Sequence, residues 1–226
     1  RAIDDVDRSI VSVRTEAEAH DGWARSGAGD YQLDTGGSGG TWALMKRAHH
    51  LYLEDDDAGA AIEALLTPIP LGPTQDSVEV FTEALDRVEP DSDQHGWVLT
   101  RLGTAYQDLR GGTDRARELF ADAISLARKI GNMAIEARAH AHWSQTGVHS
   151  ARPTEGVEHG LLAISHGKES EDPPSAMRTI VFLAESYVAK GQPAISARII
   201  ADTIAYGDER RFTAWSSRSA GAASIL

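Results

Sequence analysis

Residues 101–132 read RLGTAYQDLRGGTDRARELFADAISLARKIGN, and this stretch decides the fold. Two runs with apolar residues three and four positions apart flank Gly111 and Gly112, which is the pattern of two helices joined by a tight turn. Gly131 and Asn132 then end the second run in the way that helices commonly end. The stretch therefore predicts a helix–turn–helix unit.

The same unit recurs along the chain with a period of roughly 40 residues. Small residues stand where two antiparallel helices must approach closely, and large residues fill the layer beside them. The middle copy is the weakest of the three, because it carries glycine where large residues are expected. In chain order the copies are Leu99, Leu102, Gly103, Tyr106, Ala116, Phe120 and Ala123; then His140, Trp143, Ser144, Gly147, Gly156, Gly160 and Ala163; then Ile180, Leu183, Ala184, Tyr187, Ala197, Ala201 and Ile204.

Upstream of these copies the pattern predicts one helix near residues 41–53 and another near 58–66. Residues 76–89 resemble the second helix of a unit. Their first-helix partner could be the 58–66 segment, which would shift the register of this region by one helix. The sequence leaves both registers open.

The two ends of the chain differ from the repeats. Residues 1–25 carry apolar residues at alternating steps of three and four, which predicts an amphipathic helix. Residues 26–40 are rich in Gly and Ser and are typical of a flexible linker. The repeat domain is expected to occupy residues 41–226, and it stops after the first helix of a unit. We therefore expect the parent protein to continue.

Composition limits the possible functions of the 226-residue chain. Its 22 basic and 34 acidic side chains give a formal net charge of -12, and a strongly acidic protein lacks the basic surface that direct nucleic-acid binding needs. The absence of cysteine excludes disulfides, thiolate zinc sites and cysteine nucleophiles. No apolar stretch approaches the length of a membrane span. These features favour a cytoplasmic protein that contacts neither nucleic acid nor membrane.

Short motifs give no support for catalysis. The DTGGS run at residues 34–38 matches half of an aspartic-protease signature, but that chemistry needs a second carboxylate in a β-rich cleft. Five histidines lie between residues 140 and 166, without the three- or four-residue histidine spacing of a helical zinc site. We interpret them as solvated surface residues. The sequence therefore predicts no catalytic residue, no cofactor and no metal ligand, and the protein is not expected to be an enzyme.

The unit at residues 101–132 resembles a tetratricopeptide repeat, with small residues at Gly103 and Ala116 and an aromatic residue at Tyr106. The longer period and the LARKIGN ending are similar to the degenerate repeats that follow the ATPase module in bacterial LuxR-type and STAND-class signalling regulators. The resemblance implies an all-α fold, a right-handed superhelix (α-solenoid) of stacked antiparallel helix pairs, with about four units.

The same resemblance implies where a partner would bind. In tetratricopeptide folds the first helix of each unit lines a concave surface that takes up extended or helical peptides. The chain is therefore expected to be a non-catalytic protein- or peptide-interaction module, the sensor or scaffold region of a larger bacterial signalling or transcription regulator. A free-standing adaptor that scaffolds a complex is the alternative, and a helical-repeat enzyme is a third. The concave-face positions carried over are Trp97, Thr104, Gln107, Asp108, Arg138, Gln145, His149, Arg178 and Glu185.

Overall fold

The computed structural model describes residues 38–66, 75–107, 109–170 and 173–209, and within these ranges every regular element is an α-helix. None of these helices is both long enough and apolar enough to cross a membrane. The predicted helix at 1–25, most of the predicted linker and the chain beyond 209 lie outside the described residues. The helices are α1 (Ser38–Glu54), α2 (Ala58–Leu66), α3 (Gln75–Leu85), α4 (Asp93–Gln107), α5 (Thr113–Ile130), α6 (Met133–His149), α7 (Pro153–Glu169), α8 (Pro173–Ala189) and α9 (Pro193–Glu209).

The predicted boundary between α5 and α6 is confirmed at Gly131 and Asn132. Gly131 ends α5 with a φ of 75°, in the left-handed region that glycine enters without steric cost. The backbone N–H of Asn132 donates to the carbonyl of Ala127 at 2.9 Å, and its side chain accepts from the N–H of Ile135 at 3.1 Å. One dipeptide therefore closes α5 and caps the start of α6.

Helices pack against their neighbours in the chain from α4 to α9 without interruption, and α1 packs on α2 and α3 on α4. In addition, α2 contacts α4, α4 contacts α6, and α6 contacts α8. The even-numbered helices thus lie side by side. Ala58–Leu66 packs on α1 and on α4, and both registers of this region stay predictions.

Close approach of α4 and α5 depends on Gly103, as the repeat pattern predicted. A Cβ atom at this position would lie 2.5 Å from Cε1 of Phe120, whose side chain is completely buried. Ala184 and Ser144, the corresponding small residues of the other copies, are also buried. The predicted close approach of two helices is therefore confirmed at Gly103.

The apolar core is divided into two main parts. The larger part joins α1 to α5 and includes Phe81, Leu102 and Leu119, and the smaller joins α7, α8 and α9 through Ile164, Leu183 and other residues. Between them lies the contact of α6 with α7, where apolar clusters give way to small and polar side chains.

Glycines of the middle copy bring α6 and α7 together. A Cβ on Gly147 would lie 2.6 Å from the backbone nitrogen of Gly156, and a Cβ on Gly160 would lie 2.9 Å from Oγ of Ser144. The Ser144 hydroxyl donates to the carbonyl of Gly156 at 2.7 Å. The glycines that weaken the sequence match are therefore what allows these two helices to approach so closely.

Candidate functional site

Two of the predicted concave-face residues meet on the surface formed by α4 and α6. The guanidinium carbon of Arg138 lies 5.2 Å from the ring centroid of Trp97, within the range of a cation–π contact. Both residues are half-buried. Trp97 comes from α4 and Arg138 from α6, so the contact joins these two helices.

Two other predicted residues, Gln107 and Thr104, make hydrogen bonds within the described part of the chain. Gln107 is only 8% exposed, and its Oε1 accepts a hydrogen bond from Oγ1 of Thr146 at 2.9 Å. Thr104 donates its hydroxyl to the carbonyl of Thr100 at 2.9 Å. Gln107 therefore contacts α6 through its amide oxygen, whereas its amide nitrogen Nε2 is buried without a hydrogen-bond partner. The expected contact of Gln107 with a ligand stays a prediction, for a side chain that is already buried against α6.

The remaining predicted residues lie on α6 or α8, or outside the residues that the structure describes. Gln145 and Glu185 are half-buried. His149 is exposed, and its ring makes an edge contact with Phe182 at a centroid distance of 5.9 Å. Arg178 belongs to α8, and Asp108 lies outside the described residues. We use the name first-helix surface for the predicted positions Trp97, Arg138, Gln145, His149 and Glu185, which lie on α4, α6 and α8.

A second group of side chains lies between α6 and α7. Glu136 and His140 stand four residues apart on α6, and His166 comes from the last turn of α7. The Oε1 atom of Glu136 is 3.7 Å from Nε2 of His140 and 3.5 Å from Nε2 of His166. One ligand atom from each of the three residues lies within 4.8 Å of the others. We call these three residues the α6–α7 triad.

His140 is the most buried member of the triad, with 2% of its surface exposed. Its Nδ1 lies 2.8 Å from Nδ1 of His159, so one of these two nitrogens donates to the other, and its Nε2 has no hydrogen-bond partner. Burial, helped by the neighbouring His159, His166 and Arg128, lowers the pKa of His140 to about 3. The ring is therefore neutral at neutral pH.

Residues around the triad fix its position from three helices. Arg128 of α5 donates its Nε to Oε1 of Glu136 at 2.7 Å. His159 stacks on Trp143 with ring centroids 4.0 Å apart, and burial lowers the pKa of His159. Trp143 donates its indole N–H to Glu155 at 3.4 Å. The chain of contacts thus runs along the whole α6–α7 contact.

Arg117 of α5 extends this chain at its other end. Its Nη2 atom lies 2.9 Å from Oε1 of Glu155, at the start of α7. Both side chains are 26% exposed, so this ion pair lies at the edge of the contact. Helix α5 therefore supports both ends of the polar contact between α6 and α7.

The interpretation of the central histidines as solvated surface residues is wrong for several of them. His140 and His142 are buried, and His159 and His166 are half-buried; His149 alone of the five is exposed. The spacing of four between Glu136 and His140 was readable in the sequence, because it places two ligand types on one helix face. The contribution of His166 depends on how α7 is rotated against α6, which no local pattern reveals.

No family model matches the chain, and a search of curated proteins also finds no match.

Proposed function

We propose that the chain is a tetratricopeptide-like helical-repeat module that binds a protein or peptide segment on the first-helix surface. In this proposal it acts without catalysis, as the sensor or scaffold region of a larger bacterial signalling or transcription regulator. The side-by-side packing of α4, α6 and α8 supports the proposal, because it gives an extended segment a continuous surface to lie on.

The observation that carries the proposal is the contact of Arg138 with the ring of Trp97. Tryptophan and arginine are the residue types that most often anchor protein interfaces. Because each side chain is already held by the other, less conformational entropy is lost when a partner orders them. The pair therefore forms a pre-organised anchor at the junction of α4 and α6.

The surroundings of this pair indicate the chemistry of the partner. Gln145 and Glu185 add polar groups of no single charge, unlike a basic clamp for a terminal carboxylate. Packed helices lie about 10 Å apart, so the step from α4 to α8 spans an extended segment of about six residues. We expect a segment that combines an apolar side chain against Trp97 with an acidic group near Arg138.

Selection from a displayed random-peptide library tests this proposal. Binders to the full chain would be measured against the double variant Trp97→Ala/Arg138→Ala and against a matched control, Arg115→Ala/Glu118→Ala. The control removes an exposed ion pair from α5, away from the first-helix surface. We expect the first variant to weaken binding by about 30-fold or more, the effect of losing about 2 kcal/mol at an anchor.

Circular dichroism of both variants establishes that each is folded. Failure to select any binder, or equal affinities for the wild type and the Trp97→Ala/Arg138→Ala variant, would contradict the proposal.

A further inference from the structure

The α6–α7 triad brings together three metal-ligand side chains that no single sequence motif predicts. Glu136 and His140 share one face of α6, and His166 reaches the same point from α7. Two imidazoles and one carboxylate are a common donor set for divalent first-row transition metals, and Zn²⁺ accepts both ligand types. We propose that Glu136, His140 and His166 bind such an ion, with Zn²⁺ the first to be tested.

The Nε2 atom of His140 is buried and has no hydrogen-bond partner. If Nδ1 of His140 donates to His159, then Nε2 carries a lone pair that faces the Glu136 carboxylate, another acceptor. If instead His159 donates, the N–H at Nε2 points toward an oxygen 3.7 Å away, which is too long for a hydrogen bond. Neither tautomer satisfies this atom, whereas a cation between the ring and the carboxylate would.

Distances within the triad are close to those that an ion requires. Ligand atoms around a tetrahedral Zn²⁺ lie about 3.3 Å from one another, given metal–ligand bonds of roughly 2.0–2.2 Å. The two distances from Oε1 of Glu136 to the imidazole nitrogens, 3.7 and 3.5 Å, exceed this by a few tenths of an ångström. The ligand nitrogens of His140 and His166 lie within 4.8 Å of each other, so side-chain rotations that bring the two rings together would complete the site.

Neighbouring residues are suited to support the ion. His159 beside Nδ1 of His140 can accept the ring N–H, which orients a coordinating imidazole and leaves its other nitrogen free for the metal. Arg128 holds the Glu136 carboxylate from the solvent side, and its side chain is 60% exposed, so it can turn away as the ion enters. The net charge of -12 also attracts cations to the protein.

Three protein ligands leave one position of a tetrahedral ion for water or another small ligand. The ion would connect α6 to α7 where the apolar core is interrupted, and its binding would stabilise the folded chain. This site lies between α6 and α7 and not on the first-helix surface, so it stands independently of the proposed function.

The test uses the tag-free full chain, stripped with a chelator and dialysed, and titrates it with Zn²⁺ by calorimetry. Visible absorption of bound Co²⁺ serves as a second readout of the ligand set. We expect the wild type to bind one equivalent. His166→Ala and Glu136→Gln should each weaken Zn²⁺ binding by about tenfold or more, since even partners of metal ligands have effects of that size.

His149→Ala is the matched control, because His149 lies on the same helix but is exposed and away from the triad. This variant should bind Zn²⁺ as the wild type does. Circular dichroism of the metal-free variants shows whether they fold. If His166→Ala does not fold, Glu136→Gln provides the test, because glutamine keeps the shape of the glutamate side chain. Absence of stoichiometric binding to the wild type, or equal losses in His149→Ala and the triad variants, would overturn the proposal.

Discussion

Replacing Gly103 by alanine tests the close contact of α4 with α5. The added Cβ would lie 2.5 Å from Cε1 and 2.8 Å from Cδ1 of Phe120, whereas ordinary contacts begin near 3.4 Å. The buried Phe120 ring must therefore move by about 0.9 Å, and the His142 ring stacks on it at a centroid distance of 6.0 Å. Overpacking of this kind costs about 1–3 kcal/mol.

Alanine also favours a helix over glycine by about 0.8–1.0 kcal/mol, which offsets part of that cost. We expect a net loss of up to about 2 kcal/mol in the free energy of unfolding, measured by urea titration with circular dichroism. Gly59→Ala is the matched control, because a Cβ there meets only Oδ1 of Asp57 at 3.5 Å.

This control should stabilise the chain slightly. The double variant Gly103→Ala/Phe120→Leu should lose less stability than the sum of its two single changes, because a smaller side chain relieves the clash. The reasoning is refuted if Gly103→Ala is as stable as Gly59→Ala.

Two further predictions concern local features. Asn132→Ala should lower the free energy of unfolding by about 1 kcal/mol, because the side chain that accepts from the N–H of Ile135 caps α6; an unchanged urea midpoint would contradict this role. Stability should also fall as pH drops below about 6.5, because burial lowers the pKa of His49, so the unfolded chain takes up a proton before the folded one does. His49→Gln should give a shallower fall in the free energy of unfolding between about pH 7.5 and 5, and equal slopes for the two proteins would count against this account.

Helices and their turns could be predicted from the sequence because their signals are local. The spacing of apolar residues located α1 and α2, and the pair Gly131 and Asn132 fixed the boundary between α5 and α6. The close approach at Gly103 was also readable, since small and large residues alternate at repeat spacing. Each of these inferences depends on residues near one another in the chain.

The candidate sites were less predictable because they depend on how helices are rotated against each other. Trp97 and Arg138 were placed on one surface by their repeat positions, but the same reasoning put Gln107 on that surface, and it is buried against Thr146. The α6–α7 triad requires His166 to turn toward Glu136 across a contact made close by glycines. The repeat pattern predicted that α6 and α7 pair, but it did not predict that Glu136 and His166 face each other across that contact.

In the proposed binding mode a partner lies across α4, α6 and α8, and photo-crosslinking can locate that partner on the protein. A peptide selected on the full chain would carry a benzophenone group at successive positions, and mass spectrometry would locate the attachment points. We predict crosslinks on α4, α6 and α8, with those nearest the peptide centre around Trp97 and Arg138. Crosslinks confined to α5 and α7 would show that the partner binds the opposite side and would contradict the account.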